Sequence, residues 1–396
     1  MRRSLRWWVL GAFVLSGALN YLDRQVLAAL APLLRAEFHL SNADYGLVLA
    51  AFSVTYAASA PLAGLFLDRV GLNRGVSAAV GLWSLVGVAT ALTKGLGGLM
   101  ACRAWLGVAE AAGVPASGKA IILYLKPQER ALGHAISQIG LSTGAMIAPP
   151  LAVGLAARYG WRSAFLVTGL AGFLWIPFWN WIARKAPAAA DQAPRDTWSL
   201  RQLLADRRLW LFPLATILGM TVYSLWSNWT TLYLVQERGL KLEQTAWLAA
   251  LPPVAANLGG VAGGWLSLRW MKNGTAAVAA RMRVCLAAAL IVLLTAAIPL
   301  APGVLLAAAG ICLSFFCVSA WSVNLYTMPL DIYGPSRAAF TTSLLVGAYG
   351  VMQAVFSPVI GALVDRWGFA PVCTLVSVLP LAAWGLLRWG KVERSR

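Results

Sequence analysis

Twelve apolar stretches of roughly 20 residues follow one another along this chain, each long enough to cross the hydrocarbon core of a bilayer as a helix. They fall near 7–34, 42–67, 75–93, 97–125, 131–157, 162–183, 209–236, 243–268, 277–298, 303–331, 337–364 and 370–389. Length alone, 396 residues, would allow two or three soluble domains. Composition excludes them: 60% of the residues are hydrophobic and 12% are charged. A soluble surface needs roughly twice that charged fraction. Disorder, coiled coil and soluble α/β folds fall away with it. The expected fold class is an all-α polytopic membrane protein with 12 transmembrane helices.

The formal charge of +18 raises the question of nucleic acid. Its placement answers it. In the span assignment above, with charges near span ends counted with the adjoining loop, 22 of the 32 Lys and Arg lie in alternate loops and the termini, seven in the opposite loops and three inside helices. That asymmetry is the positive-inside pattern and puts both termini in the cytoplasm. The basic rim faces the anionic lipid surface, and no nucleic-acid partner is expected. Five cysteines all sit in apolar segments without a CxxC pair, and the two histidines, His39 and His134, stand near helix ends. A metal site, a cofactor or a His-based catalytic triad has almost no raw material, so an enzyme is not expected. The start, Met1-Arg2-Arg3 before an apolar run, has the look of a signal peptide, but with eleven spans following it is read as the first membrane helix.

The longest polar run, residues 184–208, divides the chain into an N-terminal six-helix half (1–183), a cytoplasmic linker (184–208) and a C-terminal half (209–396). Pro61-Leu-Ala-Gly64-Leu-Phe-Leu-Asp68-Arg69-Val-Gly71 ends the second span, and Pro358-Val-Ile-Gly361-Ala-Leu-Val-Asp365-Arg366-Trp-Gly368 ends the eleventh, anchors in register. Weaker copies end the fifth (Gly154…Arg158-Tyr-Gly160-Trp161) and the eighth (Gly264-Trp-Leu-Ser-Leu268-Arg269). The lead glycines lie 90, 110 and 97 residues apart, the widest gap holding the linker. A three-helix unit used four times must alternate in orientation, because three is odd. Inverted repeats of this kind place a substrate near the bilayer midplane and rock one half against the other.

Gly64 through Arg74 resembles the loop motif between the second and third helices of the major facilitator superfamily. Asn20-Tyr21-Leu22-Asp23-Arg24 in the first helix is similar to the superfamily's anion:cation symporters. So are Arg103-Ala-Trp-Leu106-Gly107-Val-Ala-Glu110-Ala111-Ala112-Gly-Val-Pro115-Ala116 and Lys119 in the fourth, and Gly144-Ala-Met-Ile-Ala148-Pro149-Pro150 in the fifth. The set looks most like bacterial hexuronate and sugar-acid symporters. The resemblance implies proton-coupled symport of a small organic anion, such as a hexuronate or aldonate, by a monomer in the bacterial inner membrane. The proton would be the coupling ion and no cofactor is needed. It also implies that Asp68, Arg69 and Arg74 form a latch on the cytoplasmic side, beside the plain reading of a solvated charge cluster.

Of the fourteen acids, only Asp23 and Glu110 fall well within spans, with Arg24 and Arg103 as the matching cations. Buried charges cost several kcal/mol unless paired or hydrated. Asp23 and Arg24 project about 100° apart and do not pair with each other. Arg103 and Glu110 share a face but stand two turns apart, roughly 10 Å along the axis. Each of the four needs a partner from another helix, or a ligand. Two uses stay open: static salt bridges between the first and fourth helices, or a transport site. By the resemblance, Arg103 grips the substrate carboxylate with its planar fork of donors. Glu110 takes the coupling proton and pairs with Arg24 when ionised, and Asp23 is a second protonatable group. Asn20, Tyr21 and Arg24 complete the expected contacts in this half. Lys119, about 24 Å beyond Arg103 along the helix, snorkels toward the cytoplasmic face.

The second half offers Ser224, Asn228 and Thr231 on one face of the seventh helix, with Tyr223 and Trp226 nearby, and Trp321, Asn324 and Tyr326 on the tenth. Asn228, Trp321 and Asn324 are the substrate-contact candidates there. The same side chains also serve as bonds between helices, and both uses stay open. This half departs from the symporter pattern: Tyr326 stands where an acid is usual, and Val346, Tyr349 and Gln353 stand where asparagines are. The alternative reading is a proton antiporter exporting amphipathic compounds. Such exporters commonly carry acids without a paired arginine, so Arg24 and Arg103 count against it.

Overall fold

The computed structural model describes residues 5–125, 130–186, 204–333 and 338–392. Within them the backbone is helical, because a segment in lipid must satisfy its own N–H and C=O groups. Twelve rods follow in order: α1 (Leu5–Phe38), α2 (Asn42–Val70), α3 (Leu72–Thr90), α4 (Leu96–Tyr124), α5 (Arg130–Tyr159) and α6 (Trp161–Lys185). Then come α7 (Arg207–Gln236), α8 (Leu242–Lys272), α9 (Ala277–Leu300), α10 (Val304–Tyr333), α11 (Ala338–Trp367) and α12 (Phe369–Trp389). Ten have the length and apolarity to cross a membrane; the other two, α1 and α2, are long enough at 34 and 29 residues. The all-helical membrane fold expected from the sequence is the fold observed. Most of the expected linker, 187–203, lies outside the described residues.

The chain divides into two compact units, Met1–Gln192 with Leu240–Ala250, and Ala193–Gly239 with Leu251–Arg396. Unit 1 packs α1 on α5, α2 on α4 and α3 on α6. Unit 2 repeats the scheme, with α7 on α11, α8 on α10 and α9 on α12. The sequence repeat is therefore also a repeat of helix partners.

What the repeated motif supplies at its end is a one-residue corner. Gly71 (φ 86°, ψ 155°) joins α2 to α3, and Gly368 (φ 72°, ψ −169°) joins α11 to α12. Gly160 does the same between α5 and α6, at φ 79° and ψ 157°. This region of backbone space is open essentially to glycine alone. A second corner repeats where the sequences barely agree. Glu37-Phe38-His39-Leu40-Ser41 leaves α1, and Glu237-Arg238-Gly239-Leu240-Lys241 leaves α7. His39 takes φ 52° where Gly239 takes φ 66°. The helix that follows starts each time with its N-cap N–H bonded to the side chain three residues on: Ser41 N donates to Asp44 Oδ2 at 3.0 Å, where the Ser41 hydroxyl also accepts from Asp44 N, and Lys241 N donates to Gln244 Oε1 at 2.9 Å. Each glutamate then reaches the start of its unit's last helix. Glu37 pairs with Arg162 at 3.2 Å, and Glu237 accepts from Phe369 N at 3.3 Å.

Close approach of backbones fixes the helices that carry the charged residues. A Cβ on Gly144 of α5 would collide with the backbone of Ala18 on α1, one turn before Asp23. A Cβ on Gly107 of α4 would meet the Phe52 carbonyl and Thr55 Oγ1 of α2, and Thr55 Oγ1 donates to the Ala104 carbonyl at 2.7 Å. Small residues at such crossings let helices associate without a hydrophobic drive between them. Gly144→Ala is expected to cost about 1–3 kcal/mol of overpacking, read as a lower thermal midpoint in detergent. Gly154→Ala on the same helix, where a Cβ meets nothing within 4 Å, should leave the midpoint in place. Equal midpoints for the two variants would refute the packing argument.

Candidate functional site

Pro115 sets the local shape of α4. It has no N–H for the carbonyl of Ala111, and the helix breaks there: one segment ends at Glu110, a turn follows at Ala111 and Ala112, and a second segment begins at Gly113. Glu110 thus sits at the last position before an interruption in the membrane. Asn20 of α1 is buried against Gly113, just past the break, and its Nδ2 has no hydrogen-bond partner.

Arg24 reaches across from α1. Its Nη2 and Nε donate to Glu110 Oε2 at 2.8 and 3.1 Å. The Glu110 side chain is 0% exposed and that of Arg24 21%. The other carboxylate oxygen, Oε1, is buried without a partner. Three rings surround the guanidinium, with Tyr21, Phe52 and Tyr56 centroids 5.0, 4.6 and 5.0 Å from its carbon. Phe52 and Tyr56 stack on each other at 5.5 Å. A cation over ring faces is attracted by their quadrupoles, by up to about 2 kcal/mol where water is excluded.

Asp23 points elsewhere, as adjacent residues on a helix must. It faces Thr168 of α6 within electrostatic reach of Glu110 and Arg103, yet neither of its oxygens meets hydrogen-bond geometry with a described residue. Arg103 lies on α4, two turns before Glu110. It is 3% exposed and makes no ion pair or hydrogen bond with any described residue; its Nε is fully enclosed and unpartnered. Buried Tyr45 of α2 lies in its surroundings with Glu110 and Asp23. One arginine is satisfied by protein, and the other is not.

The remaining expected residues are placed as follows. Arg69 and Arg74 are exposed at the α2–α3 corner, and the Asp68 side chain lies outside the described residues. Lys119 Nζ donates to the Leu67 carbonyl at 3.4 Å, so it reaches the end of α2 that bears this motif. In unit 2, Trp321 is fully buried with its ring against Gly219, where α7 is interrupted at Met220. Asn324 donates to the Gly263 carbonyl of α8 at 3.2 Å and to Ala320 O at 2.8 Å, which is the bond between helices left open above. Asn228 donates to Ser224 O at 3.0 Å. Tyr223 meets Phe315 and Tyr349 edge-on.

Phe52, Tyr56, Tyr45 and Thr168 are contributors that the sequence reading did not single out. Tyr45, Phe52 and Tyr56 stand at i, i+7 and i+11, one face of α2. That spacing was a signal available in the sequence, though it does not say what the face meets. Among the described residues, no group of three or more His, Cys, Asp or Glu is placed to hold a metal ion.

The Major Facilitator Superfamily model matches residues 13–346 of the chain. The chain is 30% identical over 414 positions to the hexuronate transporter of Escherichia coli (strain K12), covering 99% of this chain and 95% of that one. It is 31% identical over 291 positions to the galacturonate transporter of Dickeya chrysanthemi, covering 68% and 84%. Among solved structures, a bacterial homologue of the human lysosomal transporter Spinster, inward-facing and occupied, is similar at a TM-score of 0.79 and 20% identity, over 98% of this chain and 95% of that one. That likeness speaks for the fold. The matched family and these relatives make the chain a transporter and not an enzyme, and it belongs to the major facilitator superfamily.

Proposed function

We propose that the protein carries a small organic anion, a hexuronate, aldonate or similar carboxylate, across a bacterial inner membrane together with protons. The sugar-acid relatives support the substrate class. The observation that carries the reading is the unequal state of the two buried arginines. Arg24 is engaged by Glu110 at 2.8 Å, while Arg103 is enclosed with no counter-ion in contact among the described residues. A buried guanidinium without a partner is costly, and a substrate carboxylate supplies the partner in bidentate geometry.

In this reading Arg103 grips the carboxylate. Glu110 takes up the coupling proton and releases Arg24, and Asp23 serves as a second proton site. Asn20, Tyr21 and Arg24 contact the substrate from the first half, and Asn228, Trp321 and Asn324 do so from the second. The halves alternate access between the two sides, with Asp68, Arg69 and Arg74 latching the cytoplasmic side, where both termini lie.

The test uses purified protein in liposomes with an acidic exterior and a panel of hexuronates, aldonates, short monocarboxylates and dicarboxylates. Wild type is expected to take up one class, faster as the exterior is acidified. Removing one partner of a buried charge contact costs about 2–5 kcal/mol, so Arg103→Ala should weaken apparent affinity by roughly 30-fold or more. Arg103→Lys, which keeps the charge and loses the fork, should recover only part of it. If no anion moves, or Arg103→Ala matches wild type, the assignment is wrong. Glu110→Gln should abolish acid-driven accumulation yet keep exchange of labelled for unlabelled substrate. Loss of folded protein instead would favour a purely structural salt bridge.

A further inference from the structure

The proposed coupling role of Glu110 carries a physical difficulty. While Glu110 is ionised, its Oε2 holds Arg24 through two nitrogens. When the proton adds to the carboxylate and forms an O–H bond, that ion pair is gone and a guanidinium is left with no anion in contact. An unpaired cation in this setting would leave for water or recruit another carboxylate, and Asp23 lies close enough to sense Glu110. Something has to keep Arg24 where it is.

Phe52 has the geometry to do so. Its ring is, of the three, the one nearest the Arg24 guanidinium, at 4.6 Å, and it stacks on Tyr56, which lies 5.0 Å from the same carbon. What fixes the ring is independent of the salt bridge. The Phe52 carbonyl abuts Gly107 of α4, and Thr55 ties α2 to the Ala104 carbonyl at 2.7 Å. The seam that anchors the ring is built on α4, the helix that presents Glu110, so ring and carboxylate stay in register whether or not the carboxylate is charged.

We propose that Phe52, supported by Tyr56, is a positioning residue of the coupling site: it holds the Arg24 guanidinium in place while Glu110 is protonated. This rests on the reading that Glu110 carries the proton. The titratable and charged groups around the pair are Tyr21 and Asp23 on α1, Tyr45 and Tyr56 on α2, and Cys102 and Arg103 on α4; among the described residues α3, α5 and α6 place none beside it. The ring's attraction matters most when the carboxylate is neutral. Its removal therefore penalises the protonated state more than the ionised one and makes Glu110 harder to protonate.

The experiment compares wild type, Phe52→Leu, Phe52→Trp, Glu110→Gln and the Phe52→Leu/Glu110→Gln double variant. Uptake in proteoliposomes is followed against external pH, and the thermal midpoint is followed in detergent. Phe52→Leu should move the midpoint of the pH dependence to more acid values by about half to one unit, as expected for loss of one desolvated cation–ring contact. Phe52→Trp, which restores a ring face, should hold the wild-type midpoint. In the thermal cycle, Phe52→Leu should cost more degrees in the Glu110→Gln background than alone, because there the rings are the remaining hold on Arg24. An unchanged pH midpoint with additive thermal losses would overturn the proposal. So would equal impairment of Phe52→Leu and Phe52→Trp at every pH, which is the mark of packing alone. If wild-type uptake proves independent of pH, the coupling reading falls, and the thermal cycle by itself decides whether the rings hold the arginine.

Discussion

The salt bridge between Arg24 and Glu110 is the interaction that the packing of unit 1 has to sustain. Two full charges have been taken out of water, and the attraction between them repays that only when contact is close and the geometry is held. Contact is close, at 2.8 Å, and the geometry is held from both sides. Gly144 lets α5 press on the backbone of α1, and Gly107 lets α4 press on α2. Neither crossing involves a charge, yet each holds the helix of one partner of the ion pair tightly against a neighbour.

The same economy of parts runs through the repeat. A helix corner of one residue is a tight demand, and it is met by Gly71, Gly160 and Gly368 in a conformation that a Cβ would oppose. Because one motif ends several repeats, the partner scheme of unit 1 returns in unit 2. The charges do not return. Where unit 1 has Asp23, Arg24, Arg103 and Glu110, the inner stretches of α7 and α10 have Ser224, Asn228, Trp321 and Asn324. The two units share their corners and crossings, and the buried ionic groups stand in unit 1 alone among the described residues.

Much of this was legible in the sequence because it is expensive. Twelve apolar stretches leave little but a helical membrane bundle, and four charges within them cannot be accidental when each costs several kcal/mol. The projection of adjacent helical residues already separated Asp23 from Arg24, and α4 is broken next to Glu110 by Pro115, a residue visible in the sequence. The aromatic box was not legible. A phenylalanine in a membrane helix is the least informative of residues, and this chain has 19 Trp, 10 Tyr and 13 Phe from which to choose. The face of Tyr45, Phe52 and Tyr56 becomes meaningful only when α2 is known to lie on α4. His39 was illegible for the opposite reason: nothing in a histidine announces a positive φ, and only the corner at Gly239 explains it. Asn324 shows the limit of residue type as a guide, since one amide suits a sugar hydroxyl and a neighbouring carbonyl equally.

A last consequence follows from counting charge where water is scarce. Apart from Lys119, which reaches the Leu67 carbonyl at the end of α2, the membrane stretches of α1 and α4 hold two arginines and two carboxylates, and the inner stretches of the other helices add none. With both acids ionised, this interior is neutral. An anion that enters it alone leaves an excess negative charge in a medium that screens it poorly. Two escapes exist: the anion stays out, or a positive charge comes in with it. In the proposed mechanism Arg103 draws the anion in, and a carboxylate that accepts a proton admits the positive charge without any new cation having to be dehydrated. Both carboxylates carry buried oxygens without a hydrogen-bond partner, Oδ1 and Oδ2 of Asp23 and Oε1 of Glu110. Those are the atoms on which an O–H bond would form. The charge balance of the four residues and these oxygens are what support the proposed coupling by protons.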